Sequence, residues 1–279
     1  MKKLIVYIIL IIGGDAVADC NFRTANYMNE LNSPKYIENI IVEVPKSGKF
    51  SKNFIRILIS REPRQNIPPK LRKYFKAKIT INYKFGKCSY KGKVKQNGDW
   101  KDHIKLKGGR PVRSLIVKLE EGNIVNAVKF KLLIPETRNN LHEILGTIVL
   151  QNLGYISPLT FQVNTEVNGT EQTMIFQEDS RKELLERSKR RDGPLFEGDE
   201  SLLWSYKDFG TMTLGNLALS RFTNKKWFLN GDNAQNQVLS AYSLLQRAYL
   251  DRPSGNIIRI NSKASKTFEN YFFIVLLMN

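Results

Sequence analysis

The sequence predicts an α+β fold, and three observations carry that prediction. Residues 35–134 consist of short alternating or β-branched runs separated by turn residues. A helical apolar pattern follows, then a hairpin marked by Asn168-Gly169, then further helical stretches. No β-α-β alternation occurs, which excludes a doubly wound parallel sheet.

The elements follow in order. Asn39 to Val44 is apolar and β-branched, and Pro45 closes it. Asn53 to Ser60 reads as a second strand. Lys78 to Lys84 alternates, with Ile79, Ile81 and Tyr83 on one face and Lys78, Thr80 and Asn82 on the other. Gly86 and Ser89 supply a turn, and Tyr90 to Gln96 pairs back. Ser114 to Leu119 and Ala127 to Ile134 are two further strands, joined by the turn at Glu120 to Asn126. Leu141, Ile144, Leu145, Ile148 and Val149 recur at helical spacing. Asn140 and Glu143 have capping-box spacing, and Gly154 ends the helix. Leu159 to Val167 and Thr170 to Gln177 flank Asn168-Gly169, the dipeptide of a type I′ turn. Ser180 to Arg191 reads as a basic helix stopped by Gly193-Pro194. A loop-rich stretch follows, with Trp204, Tyr206, Trp227 and Phe228 as buried anchors. Ala234 to Leu250 is a second amphipathic helix, with Val238, Leu239, Tyr242 and Leu245 on one face.

Composition narrows the class. The chain has 279 residues, 42% hydrophobic and 25% charged, which excludes a disordered chain, a collagen and a coiled coil. Only the first dozen residues form a sustained apolar run of the membrane-directed kind, which excludes a polytopic membrane protein. Lys2 and Lys3, the run Leu4 to Ile12 and the Ala16-Val17-Ala18 site read as a secretory signal, and an uncleaved anchor is the alternative. The net charge is +18, and loss of residues 1–18 leaves +17, so the basicity belongs to the mature protein. Cys20 and Cys88 pair in an oxidising compartment or leave a free thiol. With only His103 and His142 as histidines and no C-x-x-C, a zinc site is not expected.

Few motifs carry chemistry. There is no G-x-S-x-G, Walker A or H-E-x-x-H. Asp208-Phe209-Gly210 spells a kinase triplet without a preceding H-R-D. Gly108-Gly109, among Lys105, Lys107 and Arg110, is either a phosphate-facing loop or a plain turn. Glu197, Asp199 and Glu200 form an acidic patch, either a cation site or a solvated loop.

Several segments nevertheless occur in a familiar order. They are Val94 to Gly98, Ser114 to Leu119, Phe130 to Leu133 followed by Arg138-Asn139-Asn140, Leu153 to Pro158, and Val167-Asn168-Gly169 with Ile175 to Glu178. In this order the chain resembles the spore-coat CotH kinase-like family. The resemblance implies a protein-kinase-like fold: an antiparallel β-rich N-lobe with an inserted helix, followed by a partial helical second lobe. It implies a signal at 1–18, a β-rich extension at 19–77, an N-lobe at 78–179 and a C-lobe at 180–279. It also implies ATP with a divalent metal, Mg or Mn, and phosphoryl transfer to a protein or envelope acceptor.

In such a lobe a strand lysine holds the phosphates and a helix carboxylate orients it. Lys118 is the best placed lysine, with Lys129 and Lys131 as alternatives. Glu143 is the natural partner, or only a helix cap. Arg138 meets a phosphate or a carboxylate. Glu178 lies at the hinge end of the hairpin, or begins the next helix. The family's metal-binding aspartates come later, and Asp199, Asp208, Asp232 and Asp251 match no such motif, so no catalytic acid is assigned. The apolar run Tyr271 to Leu277 has no C-cap, which reads as a chain truncated within its second lobe.

The basicity supports a second reading: a non-catalytic envelope module that binds an anionic polymer or lipid surface. Arg181, Lys182, Arg187, Lys189, Arg190 and Arg191 form one cluster, and Lys70, Arg72, Lys73, Lys76 and Lys78 another. Export argues against nucleic acid as the partner.

Overall fold

The computed structural model describes residues 19–22, 30–61, 67–197 and 221–251. The signal segment, Trp204, Tyr206, Asp199, Glu200, Asp208 and the run Tyr271 to Leu277 lie outside them. The chain divides into two compact units, Met1–Ile144 with Leu159–Asp179, and Leu145–Pro158 with Ser180–Asn279.

The first unit is built on strands β1 (Asp19–Phe22), β2 (Ile37–Glu43), β3 (Phe75–Tyr83), β4 (Gly86–Gln96), β5 (Ile104–Lys107), β6 (Arg110–Arg113), β7 (Leu115–Leu119), β8 (Lys129–Leu133), β9 (Thr160–Val167) and β10 (Thr170–Glu178). Helix α1 (Ser47–Leu58) lies between β2 and β3. The main sheet runs β4-β3-β2-β9-β10-β8-β7, and β7 returns to pair with β4. The result is a closed seven-stranded barrel. All its pairings are antiparallel except β2 with β9, which is parallel. β1 adds to the first half of β4's free edge, and β7 takes the second half.

The kinase-like two-lobe fold is therefore incorrect. Its N-lobe is an open antiparallel sheet, whereas this sheet closes on itself and has few helices. The decisive pairings are β2 with β9 and β4 with β7. Both join segments distant in sequence, and alternation within a strand is silent about its partner.

Closure has an identifiable residue. Gly92 opposes Leu119 at the β4–β7 seam. A Cβ there would lie 2.8 Å from the Lys118 carbonyl oxygen and 2.7 Å from Ile79 Cδ1. Only glycine lets the two backbones approach this closely.

Alternation along each strand fills the interior. Ile79, Ile81, Val94, Val117, Phe130, Leu132 and Phe176 are essentially buried and belong to one continuous core. Phe176 stacks between Phe130 (4.5 Å) and Phe161 (4.6 Å). At the β9–β10 turn, Asn168 and Gly169 have φ of 46° and 80°, as a type I′ turn requires. Asn168 also anchors the parallel seam: its Oδ1 accepts from Val44 N at 2.7 Å and its N donates to Val42 O.

The segment Asn53 to Ser60 is helical, part of α1, not a strand. Phe50, Phe54 and Ile57 bury at helical spacing with Asn53, while Ile55 and Ile59 are exposed. The apolar run hid the period because Ile55, Leu58 and Ile59 interrupt the face. Arg113 ties α1 to the barrel. It is 2% exposed, donates to Gln96 Oε1 (2.9 Å) and Asn53 Oδ1 (3.1 Å), and stacks 4.3 Å over the Phe50 ring. Burial pushes its guanidinium down to about 9.

Cys20 and Cys88 are bonded across β1 and β4, at opposed register positions. Among the described residues no helix is long and apolar enough to cross a membrane.

Helix α2 (His142–Asn152) begins in the first unit and ends in the second. Its buried positions are the small Gly146 and Thr147, while Leu141, Leu145 and Ile148 are exposed. Of the five residues at helical spacing, Leu141, Leu145 and Ile148 are exposed and Ile144 and Val149 half-buried. The second unit continues with α3 (Lys182–Arg187), β11 (Phe196–Glu197), β12 (Arg221–Phe222), α4 (Lys225–Phe228) and α5 (Asp232–Asp251). Phe196 packs on Phe222 and Tyr242, with ring centroids 5.8 Å apart in each case. In α5, Ala234 and Val238 are buried and Leu239 is exposed.

Candidate functional site

Of the four predicted nucleotide residues, Arg138 and Glu143 come together, while Lys118 and Glu178 stand on opposite faces of the sheet. Lys118 alternates with buried Val117 and Leu119, so it stands on the outer face of the barrel. Glu178 shares the inner face with Phe176, is 2% exposed, and accepts from Leu159 N at 3.0 Å. It holds the ends of β9 and β10 together. Glu143 accepts from Gln177 Nε2 at 2.5 Å and lies 4.0 Å from Arg138 Nε, so Arg138, Glu143 and Gln177 form one small network. The first and last of the four assigned residues thus lie on opposite faces of one sheet. This arrangement does not fit ATP and its metal in one site, and no step is derived through them. Among the described residues, no group of three His, Cys, Asp or Glu side chains is placed to hold a metal ion. Gly108-Gly109 is the two-residue turn of the β5–β6 hairpin, with φ of 56° and 75°.

A different constellation emerges from register. Strands β3, β4, β7 and β8 are contiguous around the barrel. They carry Lys76, Lys78, Lys87, Lys91, Lys93, Lys95, Lys118, Lys129 and Lys131, and no acidic residue. The remaining three barrel strands, β2, β9 and β10, carry Glu38, Glu43, Glu166, Glu171 and Glu178, and no Lys or Arg. Charge is therefore fully segregated between two arcs of one cylinder.

Within the basic arc the lysines oppose one another directly. Lys76 faces Lys93, Lys93 faces Lys118, and Lys118 faces Lys129, one continuous row across four strands. Lys78 faces Lys91 beside it. Directly opposed side chains have Cβ atoms about 5 Å apart, and like charges at that spacing destabilise a sheet. The spacing is well inside the Debye length of about 10 Å at 0.1 M salt, so the fields of neighbouring lysines add.

Local partners moderate this repulsion at the margins. Asp179 bonds Lys129 at 2.7 Å, and Glu43 opposes Lys78 at the arc's edge. Arg72 is paired with Asp99. The Tyr74 ring lies 5.5 Å from Lys93 Nζ and 5.0 Å from Lys95 Nζ, an exposed aromatic face among cations. Lys95 is pushed below its ordinary value, chiefly by burial and then by the charges of Lys129 and Arg72, against which Asp179 and Asp99 act.

Sequence reading singled out Lys118, Lys129 and Lys131 for a nucleotide and Lys76 and Lys78 as a charge cluster. It passed over the alternating lysines of β4 at 87, 91, 93 and 95. Their period of two was visible; their register against Lys76 and Lys118 was not.

No protein-family model matches the chain, and no curated protein sequence matches it.

Proposed function

We propose that this protein is an exported, non-catalytic module that binds an anionic polymer along the basic arc of its barrel. The observation that carries the reading is the segregation of barrel charge, with four directly opposed lysine pairs on one side. Opposed lysines raise the energy of the unliganded barrel except where a carboxylate offsets them, as Asp179 does at Lys129 and Glu43 at Lys78. A polyanion reverses the sign of that interaction and releases the counterions held over the arc. Three interstrand steps of about 4.8 Å extend the row over about 14 Å, a length suited to several repeats of a charged chain rather than to one small anion. The exposed Tyr74 ring offers a flat surface for a sugar ring between charges. The Cys20–Cys88 disulfide accords with an oxidising, exported setting, as does the leader-like N-terminus.

The test is titration of the full chain with heparin as the polyanion, dextran as the neutral control, and phosphatidylglycerol vesicles and duplex DNA as rival surfaces. Heparin binding should weaken by about a hundredfold between 50 and 200 mM salt, in line with several released ions. The double variant Lys93→Glu/Lys118→Glu should weaken it by more than about tenfold, whereas Lys182→Glu on α3 should not. Salt-insensitive binding, equal binding of dextran, or a preference for vesicles or DNA over heparin would overturn the reading.

A further inference from the structure

The second unit contains a cleft of about 260 Å³, lined by Gln151, Gly154, Tyr155, Ile156, Ser157, Arg187, Ser188 and Arg190. Its walls are two helix C-termini of the same design. At the end of α2, Tyr155 N donates to Leu150 O and Gly154 N to Gln151 O, with Gly154 at φ 80°. At the end of α3, Arg190 N donates to Leu185 O and Lys189 N to Glu186 O, with Lys189 at φ 54°. Both are Schellman caps, and each turns the following side chain, Tyr155 or Arg190, toward the cleft.

A pair of helix C-termini would by itself repel an anion. Here the caps occupy the terminal carbonyls with backbone donors, and the charge facing the cleft comes from the guanidinium groups. Arg187 is fixed in place by donating to Ser157 O at 2.8 Å. Arg190 is exposed. Lys189 takes the left-handed region as the C′ residue of its cap.

A second observation points to a ligand independently of the arginines. Ser157 is 2% exposed, lines the cleft, and its hydroxyl has no hydrogen-bond partner among the described residues. A buried hydroxyl without a partner is unfavourable, and a ligand oxygen that met it would remove that penalty.

We infer that this cleft is a binding site for a single oxyanion carried on a small hydroxylated body, the chemistry shared by a sugar acid and a sugar phosphate. Arg190 receives the oxyanion beside Arg187, which is held on Ser157 O; the Ser157 hydroxyl and Gln151 Oε1 meet ring hydroxyls, Gln151 Nε2 being turned to the Ser157 and Pro158 carbonyls; and the Tyr155 ring and Ile156 cover the apolar side. A body of one hexose ring suits the volume, which equals about nine waters. The site lies in the second unit and does not depend on the basic arc of the barrel.

The experiment is calorimetric titration of the full chain with glucuronate, glucose 6-phosphate and glucose. At least one of the two anions should bind with a Kd below about 10 mM, and glucose should bind at least about tenfold more weakly. Binding of only one anion identifies the oxyanion as carboxylate or phosphate. Arg190→Ala should weaken the anion about tenfold and Ser157→Ala about threefold, with melting temperatures unchanged to show that the variants fold. The Lys93→Glu/Lys118→Glu variant should bind as wild type. The inference is overturned if neither anion binds, if glucose binds as tightly, if Arg190→Ala has no effect, or if the barrel variant removes binding.

Discussion

Two arcs of one barrel share a core and differ in everything outside it. Inward, β3-β4-β7-β8 and β2-β9-β10 supply the same kinds of residue: Ile79, Val94, Val117 and Phe130 from one, Ile40, Val42, Val163 and Phe176 from the other. Outward, the first presents rows of lysine, and the second presents Asn39, Gln162, Asn164, Thr173 and the glutamates 43, 166 and 171. Polar cross-strand contacts there are ordinary ones, such as Thr173 with Asn164 at 3.2 Å. Folding requires the shared interior. It does not require opposed lysines, which work against it. The proposed polymer contact is a reason for that difference which the shared core does not supply.

The most drastic way to break the comparison is to open the cylinder. Gly92→Val places branched carbons where the Lys118 carbonyl and Ile79 already stand, and should destabilise the barrel by about 3 kcal/mol or more in urea unfolding. A melt unchanged from wild type would mean that the β4–β7 seam is not close-packed. A smaller break lies at the parallel β2–β9 seam, within the second arc. Asn168→Ala removes the bond to Val44 N and the residue best suited to φ 46°, and should cost about 1–2 kcal/mol by the same assay.

Acid acts on the barrel as a whole. His103 is buried, bonded through Nδ1 to the Ser114 hydroxyl, and held below its ordinary value chiefly by desolvation. A depressed folded-state value means that the stability it contributes is complete above the unfolded value of about 6.5 and is lost as pH falls through the lower, folded one. Melting temperature should therefore drop as pH falls below about 6.5, and His103→Gln should flatten that slope; an equal slope in the variant would remove His103 from the account.

The smallest effect is the sharpest in sign. Lys93 faces a lysine on both sides, so Lys93→Gln should stabilise the protein by a few tenths of a kcal/mol at low salt, with the gain lost at high salt. Glu43→Gln, which removes the carboxylate opposite Lys78, should do the reverse. Destabilisation by Lys93→Gln would show that the row is not under repulsion.

How much of this could be read in the sequence depends on range. Alternation placed the inward set of β3, and Asn168-Gly169 announced its hairpin, because both signals are local. The sequence hides helix α1 because Ile55, Leu58 and Ile59 blur its buried face. Barrel closure was illegible, since Gly92 gives no sign in sequence of the carbonyl that crosses it. The lysine row is half legible. The lysines of β3 and β4 alternate in plain view, but only the pairing of Lys93 with Lys118 and of Lys118 with Lys129 turns scattered charge into a row. The resemblance that assigned Lys118 to a nucleotide chose a residue in that row, for a site whose other members lie elsewhere.

The central claim is that polyanion contact is confined to the basic arc. Lysine acylation followed by mass spectrometry, with and without saturating heparin, tests it most directly. The account predicts slowed labelling at Lys76, Lys91, Lys93 and Lys118, and unchanged labelling at Lys49 and Lys52 on α1 and at Lys182, Lys225 and Lys226 in the second unit. Protection spread evenly over all of these lysines, or concentrated on the second unit, would contradict it.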